Sequence, residues 1–102
     1  RSTLIVKISG EMDMVIAKKV QPQIGKKLAE KSIKNLIINM DKVTFIDSSG
    51  LGVIISSYRK IKAAKGRIYI VGASPQIKKI LLLSGVNKLV QVYKNEQDII
   101  NI

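Results

Sequence analysis

A chain of 102 residues, 46% of them apolar, fits one domain with a single hydrophobic core. It contains no Cys, His or Trp, which excludes disulfide frameworks, cysteine nucleophiles, Cys/His zinc sites and any Ser-His-Asp triad. Eighteen Lys and Arg against seven Asp and Glu give a formal charge of +11 at pH 7. No apolar run approaches the ~20 residues of a membrane span. No signal-peptide pattern opens the chain, and the lack of cysteine suits a cytoplasmic location. The first residue is Arg1 rather than Met, which reads as a domain trimmed from something longer.

Leu4-Ile5-Val6-Lys7-Ile8 is dense in branched apolar side chains and predicts a buried strand, broken by Gly10-Glu11-Met12-Asp13. Asp13 is a candidate helix cap or loop acid. Ala17, Val20, Ile24 and Leu28 share one helical face, predicting a helix over 17–30, with Pro22 either in its first turn or bending it. Residues 33–40 read as a strand whose centre is buried on both faces, followed by a polar turn at Asp41-Lys42 and the apolar run Val43-Thr44-Phe45-Ile46. Leu51, Ile54, Ile55 and Tyr58 restore the helical period, and Gly66 ends that helix. Arg67 to Gly72 reads as a strand. Ser74-Pro75 marks a capped helix start, with the helix running to Ser84-Gly85. Leu89 to Tyr93 is a last short strand, and Asn95 opens a last helix. The order β-α-β-α-β-α-β-α implies an α/β fold with a mostly parallel sheet. The expected core comprises Leu4, Val6, Ile8, Leu36, Ile38, Ile54, Tyr58, Ile70, Ile80 and Leu81.

The chemistry concentrates where the second strand region meets its helix, at Asp47-Ser48-Ser49-Gly50-Leu51-Gly52. Open α/β sheets gather their sites at the carboxyl ends of strands. A helix start there offers unpaired N–H groups, beside which a phosphate on Ser48 would be partly stabilised. The bland alternative is that Asp47, Ser48 or Ser49 merely caps the helix. Two glycines in the first turns cost roughly 1 kcal/mol each relative to alanine, which asks for a reason such as close backbone approach. The segment lacks the Gly-Lys-Ser/Thr of a phosphate-binding loop and is not Gly-x-Ser-x-Gly. Asp13 and Asp47 alone would make a poor Mg²⁺ site.

Ile46-Asp47-Ser48-Ser49-Gly50-Leu51-Gly52 resembles the signature of the STAS domain, in particular that of bacterial anti-sigma factor antagonists of the sporulation and stress-response type. Gly10-Glu11-Met12-Asp13 resembles the family's Gly-Glu-hydrophobic-Asp turn, and Leu36 to Met40 its central strand. Tyr58-Arg59-Lys60-Ile61-Lys62, Ser74-Pro75 and Leu83-Ser84-Gly85-Val86 follow at the expected distances. The resemblance implies one STAS-like domain over residues 1–102, with about four strands in a mostly parallel or mixed sheet and helices packed against it. The family's usual first strand, which precedes Leu4, is missing or trimmed; Pro22 and the +11 charge are further departures.

The resemblance also implies a function. Ser48 is the expected phosphoacceptor, and Asp13, Asp47, Ser49, Gly50, Leu51 and Gly52 the expected partner-binding surface. The expected partners are an anti-sigma factor that is also a serine kinase, and a PP2C-type phosphatase that resets the switch. The domain itself is expected to be a monomer when free and no enzyme, with no catalytic, cofactor or metal site. A STAS subunit regulating a membrane transporter is the alternative. The basic charge reads as a solvated surface; a nucleic-acid or acidic-membrane surface is its functional counterpart, and no sequence-specific nucleic-acid binding is expected.

Overall fold

Residues 2–30 and 32–100 are described by the computed structural model of the chain. β1 (Thr3–Met12), α1 (Met14–Leu28), β2 (Asn35–Ile46), α2 (Ser48–Ala63), β3 (Arg67–Val71), α3 (Pro75–Ser84), β4 (Gln91–Tyr93) and α4 (Glu96–Ile100) follow in the expected alternation. A 3-10 turn at Val86–Lys88 stands where the last strand was expected to be approaching, and β4 is shorter than the Leu89–Tyr93 run suggests.

The four strands lie in sequence order, β1-β2-β3-β4, and each neighbouring pair is parallel, so the sheet is not mixed. Each crossover steps in the same direction. The right-handed rule for such crossovers places all three connecting helices on one face. The core agrees: Ala17, Ile24 and Leu28 of α1, Val53, Ile54 and Ile61 of α2, and Ile77 and Leu81 of α3 join Leu36, Ile38 and Ile70 of the sheet in one cluster. The alternate residues Ile37, Tyr69 and Val71 point to the opposite face, where Tyr93 and Ile99 pack against them. The centre of β2 is thus buried on both sides, as its unbroken apolar run implies.

Six of the ten expected core residues are buried; Leu4, Val6, Tyr58 and Ile80 are half-buried and pack on the core's margin. Leu4 and Val6 sit on β1, an edge strand of this sheet, where cover comes from one neighbour only. Phe45 is 46% exposed although Val43, two residues before it, is buried, because the register shift between Gly10 and Glu11 falls between these two residues and breaks the alternation of β2.

The expected turn at Asp41-Lys42 is a correction. β2 runs through it, and the two charged residues are accommodated by register shifts against β1 between Lys7 and Ser9 and between Gly10 and Glu11. β2 carries the extra residues, and the Asn39 side chain accepts the Asp41 N–H at 2.9 Å. Likewise Gly10, at φ +84°, bends β1 without ending it. β1 and β2 therefore continue past the last residue of β3 and carry the first two helix starts beyond the rest of the sheet.

α1 begins three residues earlier than its apolar stripe suggests and passes through Pro22 on its exposed side. At the end of α2 the left-handed residue is Lys65, at φ 62°, not Gly66. Gly66 donates its N–H to the Ile61 carbonyl at 2.8 Å and is needed for space: a Cβ there would meet the Ile61 side chain at 2.8 Å.

Ile38 is fully buried at the centre of the sheet. Ile38→Ala is expected to cost about 2–5 kcal/mol in chemical denaturation, whereas Ile5→Ala, on the open face, costs under ~1 kcal/mol.

Candidate functional site

Two strand-to-helix corners lie side by side at the projecting ends of β1 and β2. Asp13 leaves β1 in an extended conformation, φ −99° and ψ −170°, and its carboxylate accepts the Ile16 N–H at 3.1 Å. Asp47 leaves β2 with nearly the same geometry, φ −116° and ψ −169°, and accepts the N–H groups of Ser49 at 2.8 Å and Gly50 at 3.2 Å. Both acids are helix caps, each satisfying donors that the first turn leaves unpaired. Each carboxylate thus acts in folding through its Oδ1.

The corners are tied together. The Asp47 N–H donates to the Met12 carbonyl at 3.3 Å, and Met12 is the register partner of Ile46. Gly50 lies over the same carbonyl: a Cβ at this position would collide with the Met12 oxygen and stand 2.7 Å from Ile46 Cγ1. Here the first-turn glycine has its reason. Gly52 does not share it, since a Cβ there meets nothing within 4 Å. The expectation of close approach at both glycines is corrected to Gly50 alone.

Ser48 is the first residue of α2 and is exposed; Ser49, the second, is half-buried. Of the three candidate caps, Asp47, Ser48 and Ser49, the one that caps α2 is Asp47. A second correction follows from the same bonds. The N–H groups of Ser49 and Gly50 are held by the Asp47 carboxylate, and the Leu51 N–H donates to the Asp47 carbonyl at 3.0 Å. A phosphate on Ser48 would find the Ser49, Gly50 and Leu51 donors already engaged and a carboxylate beside it. Leu51 is half-buried and packs against the core.

The structure thus brings Asp13, Asp47, Ser48, Ser49, Gly50, Leu51 and Gly52 to one end of the sheet, with Gly50 buried beneath the others. It adds three residues that the sequence reading passed over. Met14 and Val15 in the first turn of α1 are 56% and 62% exposed, and Phe45 stands just before the Asp47 corner. Met14 also borders an open groove of about 600 Å³ between α1 and α2, floored by Ala17 and edged by Ser49 and Gly52. The available signal was the position of Met14 and Val15: apolar residues directly after a cap, off the stripe that α1 buries. Exposed apolar side chains at the same end as exposed polar ones suit a protein-binding surface.

Comparison with known proteins decides the family. The STAS domain profile matches residues 1–99. The chain belongs to the STAS domain family. An anti-sigma F factor antagonist of Paenibacillus polymyxa is 31% identical over 96 residues, covering 94% of this chain and 82% of that protein. SpoIIAA, an anti-sigma factor antagonist, superposes in its unphosphorylated form with a TM-score of 0.85 at 24% identity, over 97% of this chain and 85% of that one. The phosphorylated form of Bacillus SpoIIAA gives 0.78 at 25% identity, over 99% and 90%. The STAS domain of a SulP transporter from Vibrio cholerae shares the fold, with a TM-score of 0.77 at 20% identity over 96% of this chain and 77% of that one.

The corner geometry of this STAS domain predicts four stabilities, measurable by urea denaturation. Asp47→Ala should cost about 0.5–2 kcal/mol, while Ser49→Ala changes stability by less than ~0.5 kcal/mol. Gly50→Ala should cost about 1–3 kcal/mol through overpacking against Met12, and Gly52→Ala should gain up to ~1 kcal/mol.

Proposed function

We propose that this STAS domain is a phosphorylation-controlled anti-sigma factor antagonist, with Ser48 as the phosphoacceptor. The observation that carries the reading is the placement of Ser48: exposed at the first position of α2, with the capping done by Asp47, at the end of the sheet where Met14, Val15 and Phe45 are also exposed. The unphosphorylated surface docks on an anti-sigma factor, and the sigma factor held by that protein is released. Asp13 and Asp47 fix the two helix starts that form the surface, and Leu51 anchors the first turn of α2. Gly52 leaves the groove beside Ser49 open to a partner side chain.

The anti-sigma factor is also the kinase. The Ser48 Oγ attacks the γ-phosphorus of ATP, an O–P bond forms, the β–γ phosphoanhydride breaks to release ADP, and the hydroxyl proton passes to a base of the kinase. The product carries about −1.5 to −2 charges at neutral pH. These charges lie beside Asp47, whose carboxylate already holds the Ser49 and Gly50 N–H groups. Burying them against the partner would be costly, and the complex dissociates. A PP2C-type phosphatase restores the hydroxyl. The STAS domain is substrate and binder rather than catalyst, works as a monomer, and acts in the cytoplasm.

Incubation with an anti-sigma serine kinase and ATP, followed by peptide mass spectrometry, is expected to place phosphate on Ser48. Ser48→Ala should abolish labelling yet bind the kinase within about threefold of wild type, since a surface hydroxyl contributes roughly one exchangeable hydrogen bond. Ser48→Asp should weaken binding, though less than phosphorylation does. Phosphate on Ser49 alone would refute the assignment, and labelling of neither serine would favour the transporter-type role.

A further inference from the structure

The end of the sheet opposite Ser48 is defined by hydrogen bonds and register. The Lys34 N–H donates to the Ser2 carbonyl at 2.8 Å, the Arg67 N–H to the Lys34 carbonyl at 2.8 Å, and the Lys34 ammonium to the Ala64 carbonyl at 2.8 Å. These bonds gather Lys34, Lys65 and Arg67 at one end, where α1 also finishes with Lys26 and Lys27 in its last turn. Lys62 and Arg67 face Leu89 across a groove of about 310 Å³, and Lys88 immediately precedes Leu89. Of the seven acidic residues, only Glu30 lies at this end; the others follow the carboxyl ends of the strands or, like Glu11 and Asp41, occupy the parts of β1 and β2 beyond β3. The +11 charge is therefore unevenly distributed between the two ends of the sheet.

The same end exposes aliphatic side chains. Leu82 and Leu83, in the last turn of α3, are 61% and 76% exposed, and Leu89 is 44% exposed. Lys78 and Lys79, exposed one turn earlier on α3, stand at the spacing that lets their stems lie along these leucines. Leucines displayed among lysines match an interface whose outer layer is anionic and whose next layer is hydrocarbon. Nucleic acid would use the charge but not the leucines, and Tyr69, the aromatic of the Lys62–Leu89 groove, is only 5% exposed and cannot stack on a base.

We propose that this basic, leucine-tipped end docks the STAS domain on an anionic lipid bilayer. The leucines enter the headgroup layer while the lysines pair with lipid phosphates, and Ser48 points away from the membrane, open to its partner. Docking and phosphorylation are thus separate functions of opposite ends, and neither requires the other.

Co-flotation with phosphatidylcholine vesicles, with and without phosphatidylglycerol, tests the proposal. Binding is expected only to the phosphatidylglycerol vesicles. The exposed-site triple variant Lys62→Glu, Arg67→Glu, Lys88→Glu should lose at least tenfold in affinity, given about fivefold per basic residue near such a surface. Leu82→Ser with Leu83→Ser should lose several-fold on vesicles while binding a short DNA duplex as wild type does. Lys18→Glu with Lys19→Glu, on α1 away from this end, should retain most vesicle binding. Circular dichroism checks the folding of each variant, and the leucine pair alone decides the matter should the charge reversal unfold. Equal flotation with both vesicle types, vesicle binding insensitive to the leucine pair, or a greater loss from Lys18 and Lys19 than from the triple variant would overturn the proposal. So would tighter binding to the DNA duplex than to the vesicles.

Discussion

The Met12 carbonyl is the point on which the functional end turns. It accepts the Asp47 N–H and lies beneath Gly50, so the end of β1, the end of β2 and the first turn of α2 meet at one oxygen. No side chain fits between α2 and that oxygen. This close contact, combined with the Asp47 cap, fixes the direction in which α2 leaves the sheet and leaves Ser48 as the residue turned outward. The corner can stand proud because β1 and β2 outrun β3, an extension that depends on the register shifts near Gly10.

Under the proposed phosphorylation of Ser48, such a corner would make a particular kind of switch. The Ser49 and Gly50 N–H groups are already held by Asp47, so a charge on Ser48 would have little internal structure to rearrange. Repulsion at the surface is left to carry the signal, which suits a domain whose core is a continuous cluster from α1 to α3. Information is displayed at the interface rather than transmitted through the fold.

Much of this was legible in the residues. Branched apolar runs gave the strands, and Ser74-Pro75 marked a helix start that the Ser74 hydroxyl caps, accepting the Ile77 N–H at 3.2 Å. Gly85, at φ +83°, ends the same helix as its position implies. The errors share a physical cause, since each depended on a neighbour in space. Asp41-Lys42 imitates a turn, but the pairing of β2 with β1 keeps it in the sheet. Gly66 imitates a left-handed cap, but the Lys34 carbonyl and the Ile61 side chain crowd it and Lys65 takes that conformation instead. Composition gave the charge but not its polarity along the molecule, which appears only once parallel strands sort their two ends. The site residues were readable as a group; which of three polar neighbours caps the helix was decided by a hydrogen bond.

On the proposed function, the Asp47 corner holds while Ser48 changes charge. Amide NMR spectra of the chain with phosphoserine installed at position 48, against the unmodified chain, test it most directly. Shift changes confined to Met12–Met14 and Ile46–Gly52, with the Ser49 and Gly50 amides still protected from exchange, are the predicted result. Changes reaching β3 and α3, or loss of protection at Ser49 and Gly50, would contradict it.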